Sequence, residues 1–205
     1  MRDAAYIRLP PTLRACATLL VLSFPVLAGC HYDIRFEDIG YSIGQKQYDA
    51  GLVAGVAPYA VGQVVSIHSF STGIANTWDA RPGVMLQQIA EVEFPQMFRY
   101  YKTATQHEEP EQGVTRLTVD LSISHYAFSD FHTTVVVQAR AYRPGRSLAF
   151  DKSYREEGEG QGGKMVMGGA FGMKSAVRQS SFDAYKTVFA RLRADLANML
   201  EMPPP

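Results

Sequence analysis

Thr115-Arg-Leu-Thr-Val-Asp-Leu-Ser-Ile-Ser124 decides the fold, because its side chains divide into two sets. Leu117, Val119, Leu121 and Ile123 alternate with Thr118, Asp120, Ser122 and Ser124. Successive side chains of a strand point to opposite faces, so this period of two predicts a half-buried strand. Phe131–Tyr142 repeats the pattern, with Val135, Val137, Ala139 and Ala141 on one face. In Arg143-Pro-Gly-Arg146, Pro144 fixes φ and Gly145 admits a positive φ, which together predict a turn. Ser147–Tyr154 returns as a third strand, completing an antiparallel meander. Its polar face, with Thr118, Asp120, Gln138 and Arg140, is expected to be solvated or available to a partner.

The period changes downstream. Val177, Tyr185, Val188, Phe189, Leu192, Leu196, Met199 and Leu200 form one stripe, with Arg178, Lys186, Arg191, Arg193 and Asp195 mainly off it. This predicts a long amphipathic helix from about Met173, closed by Pro203-Pro204-Pro205. Upstream, Gln63–Ser71 reads as a strand and Thr72–Asp79 as a loop. A helix is expected from near Arg81, with Asp79 as its cap and Pro82 in its first turn, where a missing N–H costs nothing. Val84, Met85, Gln88, Ile89 and Val92 continue it, and Pro95 is expected to end it. Phe98–Thr105 is a further candidate strand, and His107–Gly113 an acidic surface loop. The whole predicts an α+β fold over residues 63–205: a mostly antiparallel sheet with two helices packed on one face.

The N-terminus carries a different signal. Arg2, Arg8 and Arg14 precede an apolar run from Ala15 to Leu27, too short to span a bilayer. The run ends in Leu27-Ala28-Gly29-Cys30, where two small residues suit a peptidase cleft and a thiol can be alkylated by a diacylglyceryl group. This string resembles the lipobox of bacterial lipoproteins. Residues 1–29 are thus expected to be a cleaved signal peptide, with Cys30 lipidated and the membrane reached through its acyl chains. Two or three chains give stable anchoring where one is marginal. His31, rather than Asp, follows the lipidated position, and the resemblance implies sorting to the outer membrane. Residues 30–62, with Tyr32, Ile34 and Phe36 alternating before Gly40, Gly44, Gly51, Gly55 and Gly62, are expected to tether the lipid to the domain, part of the stretch packing on it.

Without the leader, 17 Lys and Arg stand against 19 Asp and Glu, so nucleic-acid binding is not expected. Cys16 leaves with the leader, so the mature chain cannot form an internal disulfide and depends on its core. His31, His68, His107, His125 and His132 form no metal-ligand spacing, and no HExxH or CxxC occurs. Ser180-Ser181 and the pair Ser122 and Ser124 lack a nucleophile-elbow context, and Asp120 and Asp130 make no recognisable hydrolytic pair. No enzyme activity, cofactor or metal is expected. Glu156–Gly172 is rich in glycine and acidic at its start, unlike a phosphate loop. Its second half supplies Met165, Met167, Phe171 and Met173 as candidate contacts to lipid or to a partner, since Met adapts to irregular shapes. The alternative is that this stretch packs back as the first turns of the helix.

Taken from Val64 to Leu200, the order of elements is similar to the auxiliary lipoproteins of lipid-exporting ABC systems and to small outer-membrane lipoproteins of the lipopolysaccharide-assembly type. Besides the lipobox, Thr115-Arg-Leu-Thr-Val-Asp-Leu in the meander and Phe189-Ala-Arg-Leu-Arg-Ala-Asp-Leu in the closing helix carry the likeness. The resemblance implies a non-enzymatic lipoprotein that assembles on an envelope protein, faces the periplasm and assists lipid or glycolipid transport. A structural subunit of a secretion or pilus machine and a lipid-anchored hydrolase are the competing expectations.

Overall fold

The computed structural model describes residues 30–37, 39–44, 47–68, 76–104 and 116–201. The expected signal peptide, the loop His107–Gly113 and the closing prolines lie outside the described residues. The elements run β1 His31–Ile34, β2 Tyr48–Val56, α1 Pro58–Val61, β3 Val65–His68, β4 Thr77–Ala80, α2 Pro82–Met97 and β5 Phe98–Thr103. They continue with β6 Arg116–Ser129, β7 His132–Tyr142, a short 3-10 turn Pro144–Arg146, β8 Leu148–Glu157 and α3 Gly162–Glu201. A five-stranded sheet has the order β5-β2-β6-β7-β8, and a three-stranded sheet the order β1-β4-β3. The fold class is α+β.

The meander forms as its pattern predicts. Leu117, Val119, Leu121 and Ile123 are buried, and β6 pairs antiparallel with β7, which pairs antiparallel with β8. A bulge between Ile123 and His125 lets β6 run on to Ser129. The hairpin then turns through Asp130 and Phe131, both at positive φ (48° and 67°), matching the twist of a two-residue turn.

The sheets are mixed rather than mostly antiparallel. β2 runs parallel to both β5 and β6, and β1 runs parallel to β4. The source of the difference is the stretch expected to be a tether. Tyr48–Val56 inserts between β5 and β6, with Ala50, Leu52, Val53 and Ala54 buried. Its glycines disguise it in the sequence, yet one is demanded by packing: a Cβ on Gly55 would lie 2.6 Å from the carbonyl oxygen of Ala104. Parallel neighbours need long crossovers, and the chain between β2 and β5 supplies one that includes α2.

The rest of that stretch is also built in. His31–Ile34 is a strand, and the extended chain after it is held by glutamines of α2. Gln88 accepts the N–H of Phe36 at 3.2 Å and donates to its carbonyl at 3.1 Å. Gln96 accepts the N–H of Ile43 at 3.0 Å and donates to the carbonyl of Tyr41 at 2.9 Å. These side chains satisfy backbone groups that lack a ladder partner. Phe36 packs edge-on against Phe182 and Tyr185 of α3, with centroids 5.6 and 6.1 Å away.

Both long helices cover one face of the five-stranded sheet, burying Met85, Leu86, Ile89 and Phe94 of α2 and the predicted stripe of α3. Asp79 does not cap α2. It lies in β4, accepting from Ser66 Oγ at 2.7 Å and facing His31 Nδ1 at 3.2 Å, and Arg81 occupies the cap position without capping the helix through its side chain, which donates to Asp33 instead. Pro95 lies inside the last turn, and the helix continues to Met97. The segment expected as a loop up to Gly172 is helical from Gly162, interrupted at Gly169, where φ is 52° and ψ is −134°. Only glycine adopts such a backbone readily, so the break is written into the sequence.

Polar contacts lock α3 onto the sheet. Tyr126 and Ser181 share a hydrogen bond of 2.8 Å, and the N–H of Thr133 donates to Ser180 Oγ at 2.7 Å. Ser180 and Ser181 are therefore buried structural groups, not exposed nucleophiles. Lys152 and Tyr154 of β8 both reach Asp195, at 2.6 and 2.7 Å.

Candidate functional site

Two places stand out. The first is a cleft of about 420 Å³ on the sheet face opposite the helices. Its floor is the set of side chains that the alternating pattern turns away from the core: Thr118, Asp120 and Ser122 of β6 with Gln138, Arg140 and Tyr142 of β7. One wall is apolar, made where β2 passes through Val56, Ala57 and Pro58 to the exposed ring of Tyr59. The N–H of Ala57 donates to the carbonyl of Leu121 at 2.8 Å, fixing that wall against β6.

Charge on this face is organised by Asp151 of β8. Arg140 Nε donates to it at 2.9 Å and Gln138 Nε2 at 2.9 Å. The two donors, Gln138 first, hold the Asp151 carboxyl below its ordinary range, and the carboxylate in turn raises Arg140. The Arg140–Asp151 ion pair beside the Asp120 carboxylate, hydroxyl and carboxamide groups, bordered by an apolar ridge, suits a ligand with both polar and apolar parts. Thr118, Asp120, Gln138 and Arg140 were legible as this face from alternation. Gly55, Pro58 and Tyr59 were not, since only the parallel placement of β2 brings them alongside β6.

The second place is the surface around Cys30, which is exposed. Its carbonyl accepts the N–H of Thr77 at 3.0 Å, so β4 engages the chain at Cys30 itself. Desolvation first, and then the neighbouring Cys30 thiol, raise the pKa of the Tyr32 hydroxyl. The Tyr32 ring stacks on Trp78 at 5.9 Å and meets Phe171 edge-on at 6.1 Å.

The four candidate contact residues fare differently. Met167 is 89% exposed and Phe171 76%, whereas Met173 is 2% exposed and belongs to the core. Met173 is thus withdrawn as a contact, because its side chain is buried in the core on the long helical run. The side chain of Met165 lies outside the described residues. The described histidines stay dispersed. His132 sits 3.1 Å from the carbonyl of Asp130, and His31 pairs with Asp79. Among the described residues, no three His, Cys, Asp or Glu side chains gather to hold a metal ion. Nor is any helix among them long and apolar enough to cross a membrane.

No family model matches the chain, and no curated protein matches it. Solved structures give distant likenesses. An uncharacterized protein has a TM-score of 0.40 at 13% identity, covering 84% of this chain and all (100%) of its own. The hypothetical protein CT253 from Chlamydia trachomatis has a TM-score of 0.39 at 9% identity, covering 72% of this chain and 99% of its own. A Helicobacter pylori protein described as a homolog of a neuraminyllactose-binding hemagglutinin has a TM-score of 0.33 at 11% identity, covering 77% and 92%. Values this low assign neither a family nor an activity.

Proposed function

We propose that this chain is a lipid-anchored accessory lipoprotein on the periplasmic face of the outer membrane. It acts by binding an envelope protein partner in lipid or glycolipid transport or outer-membrane assembly. The observation that carries the reading is the cleft on the sheet face opposite the two long helices, where Arg140 and Gln138 stand beside the apolar wall of Pro58 and Tyr59. Binding needs only such a fixed, chemically mixed surface, with no group poised to transfer a proton or attack a carbonyl. The lipobox-like Leu27-Ala-Gly-Cys30 and the exposure of Cys30 support the anchor.

Photocrosslinking in intact cells tests the binding half. A crosslinker at Tyr59 or Ser122 is expected to trap one envelope protein, and the same probe at exposed Leu148 is not. Equal trapping at all three positions, or none, counts against the cleft. The anchor is tested separately: Cys30→Ala should lose acyl labelling and membrane association. A variant that stays membrane-bound with an unchanged processed mass removes the lipoprotein reading.

A further inference from the structure

We propose that Met167 and Phe171, which flank the Gly169 break near the start of α3, make a second membrane contact at the bilayer interface beside Cys30. This rests on the reading of Cys30 as the lipidated residue. It deepens that reading by fixing how the domain sits on the membrane.

The lack of slack after Cys30 forces the geometry. A lipoprotein domain on a flexible spacer can stand away from the bilayer. Here the Cys30 carbonyl already accepts from Thr77, and His31, Tyr32, Asp33 and Ile34 are each in register with β4. Acyl chains on the Cys30 sulfur therefore enter the bilayer with only one side chain between membrane and folded domain. Whatever surrounds Cys30 must face the headgroups. That neighbourhood includes Thr77, the His31–Asp79 pair, Tyr32 and, 6.1 Å from the Tyr32 ring, Phe171.

The chemistry of the neighbourhood agrees. Phe171 and Met167 are the most exposed of the large apolar side chains described. They lie four residues apart, Met167 before the Gly169 break and Phe171 just after it, at the exposed start of the long helical run. Lys174 and Arg178 follow Phe171 along α3 and share one carboxylate, Glu37, at 3.3 and 2.6 Å, so this edge carries one more cation than anion in that cluster. A short apolar stretch edged by basic residues next to a lipid anchor is the pattern of an interfacial segment, and a second membrane signal turns marginal binding into stable binding.

Tryptophan quenching tests the proposal. Phe171→Trp and Met167→Trp place an indole at exposed sites where folding is not at stake, and Trp78, the single native tryptophan, is fully buried and supplies the background. The full chain is expressed in a bacterial host, purified from membranes and reconstituted into phosphatidylethanolamine–phosphatidylglycerol vesicles with or without bromine on the upper acyl chain. An interfacial segment sits about 5–10 Å into the headgroup and acyl boundary. Emission from the introduced indole of each variant should then shift to the blue and fall at least about two-fold with brominated lipid, beyond the parent protein. Emission that brominated lipid leaves unchanged in both variants overturns the proposal, whether water or a protein covers the patch. Mass analysis of Cys30 in the same samples reports the anchor independently. Acylated but unquenched protein removes the second contact alone; quenched protein without acylation keeps the contact and removes the anchor.

Discussion

Glu93 of α2 and Arg193 of α3 form an ion pair across 100 residues of sequence, with Glu93 almost wholly buried and Arg193 largely so. The Tyr41 hydroxyl donates to the same carboxylate, so one buried group joins both long helices to the extended chain that follows β1. Such a pair contributes little net stability when intact, because desolvation offsets attraction, but breaking it strands a charge.

Arg193→Met should therefore destabilise the fold by about 3–5 kcal/mol, since Glu93 is left buried without its cation. The double variant Glu93→Leu with Arg193→Met should recover most of that loss. Urea unfolding of both proteins measures it. A double variant as unstable as the single one would show that the charge is not the source of the cost.

Gly158 is held against α3. A Cβ there would stand 1.8 Å from the carbonyl oxygen of Ser180, a backbone atom that cannot swing aside. Gly158→Ala should lower stability by at least about 1–3 kcal/mol, the usual cost of overpacking. Gly160→Ala, where the added methyl meets open space, should change the melting temperature little. Comparable losses in the two variants would mean that chain flexibility, not the contact with α3, governs this loop.

Alkaline pH should unfold the protein from within. Burial raises Tyr126 to about 12, with the Ser181 and Thr133 hydroxyls partly offsetting it. Burial raises Tyr185 as well. The folded state keeps a proton that the unfolded chain gives up near pH 10, so this stability is full below about pH 10 and is lost as pH rises towards about 12. The loss from Tyr126 is on the order of 3 kcal/mol. Stability measured by urea titration at stepped pH should fall across this window, and less steeply in Tyr126→Phe. An unchanged slope in that variant would place the alkaline transition elsewhere.

The cleft should be separable from the fold. Arg140 and Tyr59 are both exposed, so Arg140→Ala and Tyr59→Ala should shift stability by only about 0.5 kcal/mol or less. Crosslinked partner trapped at Ser122 should nevertheless drop about ten-fold or more in either variant, as expected where a side chain central to an interface is truncated. Full trapping in both variants would move the binding surface off this face.

Strong local patterns were legible without the structure. Alternation from Leu117 to Ile123 specified β6 and its two faces, because a period of two leaves no choice about which side chains are buried. The stripe from Val177 to Leu200 likewise specified the inner face of α3. The lipidation expected at Cys30 rests on the small residues before it. Tertiary structure alone decided the place of β2. Tyr48-Asp-Ala-Gly-Leu-Val-Ala-Gly-Val56 looks like a weak, glycine-rich linker in one dimension, and its partners β5 and β6 lie far along the chain. Parallel pairing leaves no local turn to announce it. The same non-local assembly turned an expected tether into β1 and β2 and divided Met167 and Phe171 from Met173, because burial depends on which surfaces meet and not on residue type. It placed the residues directly after Cys30 in β1 rather than in a spacer.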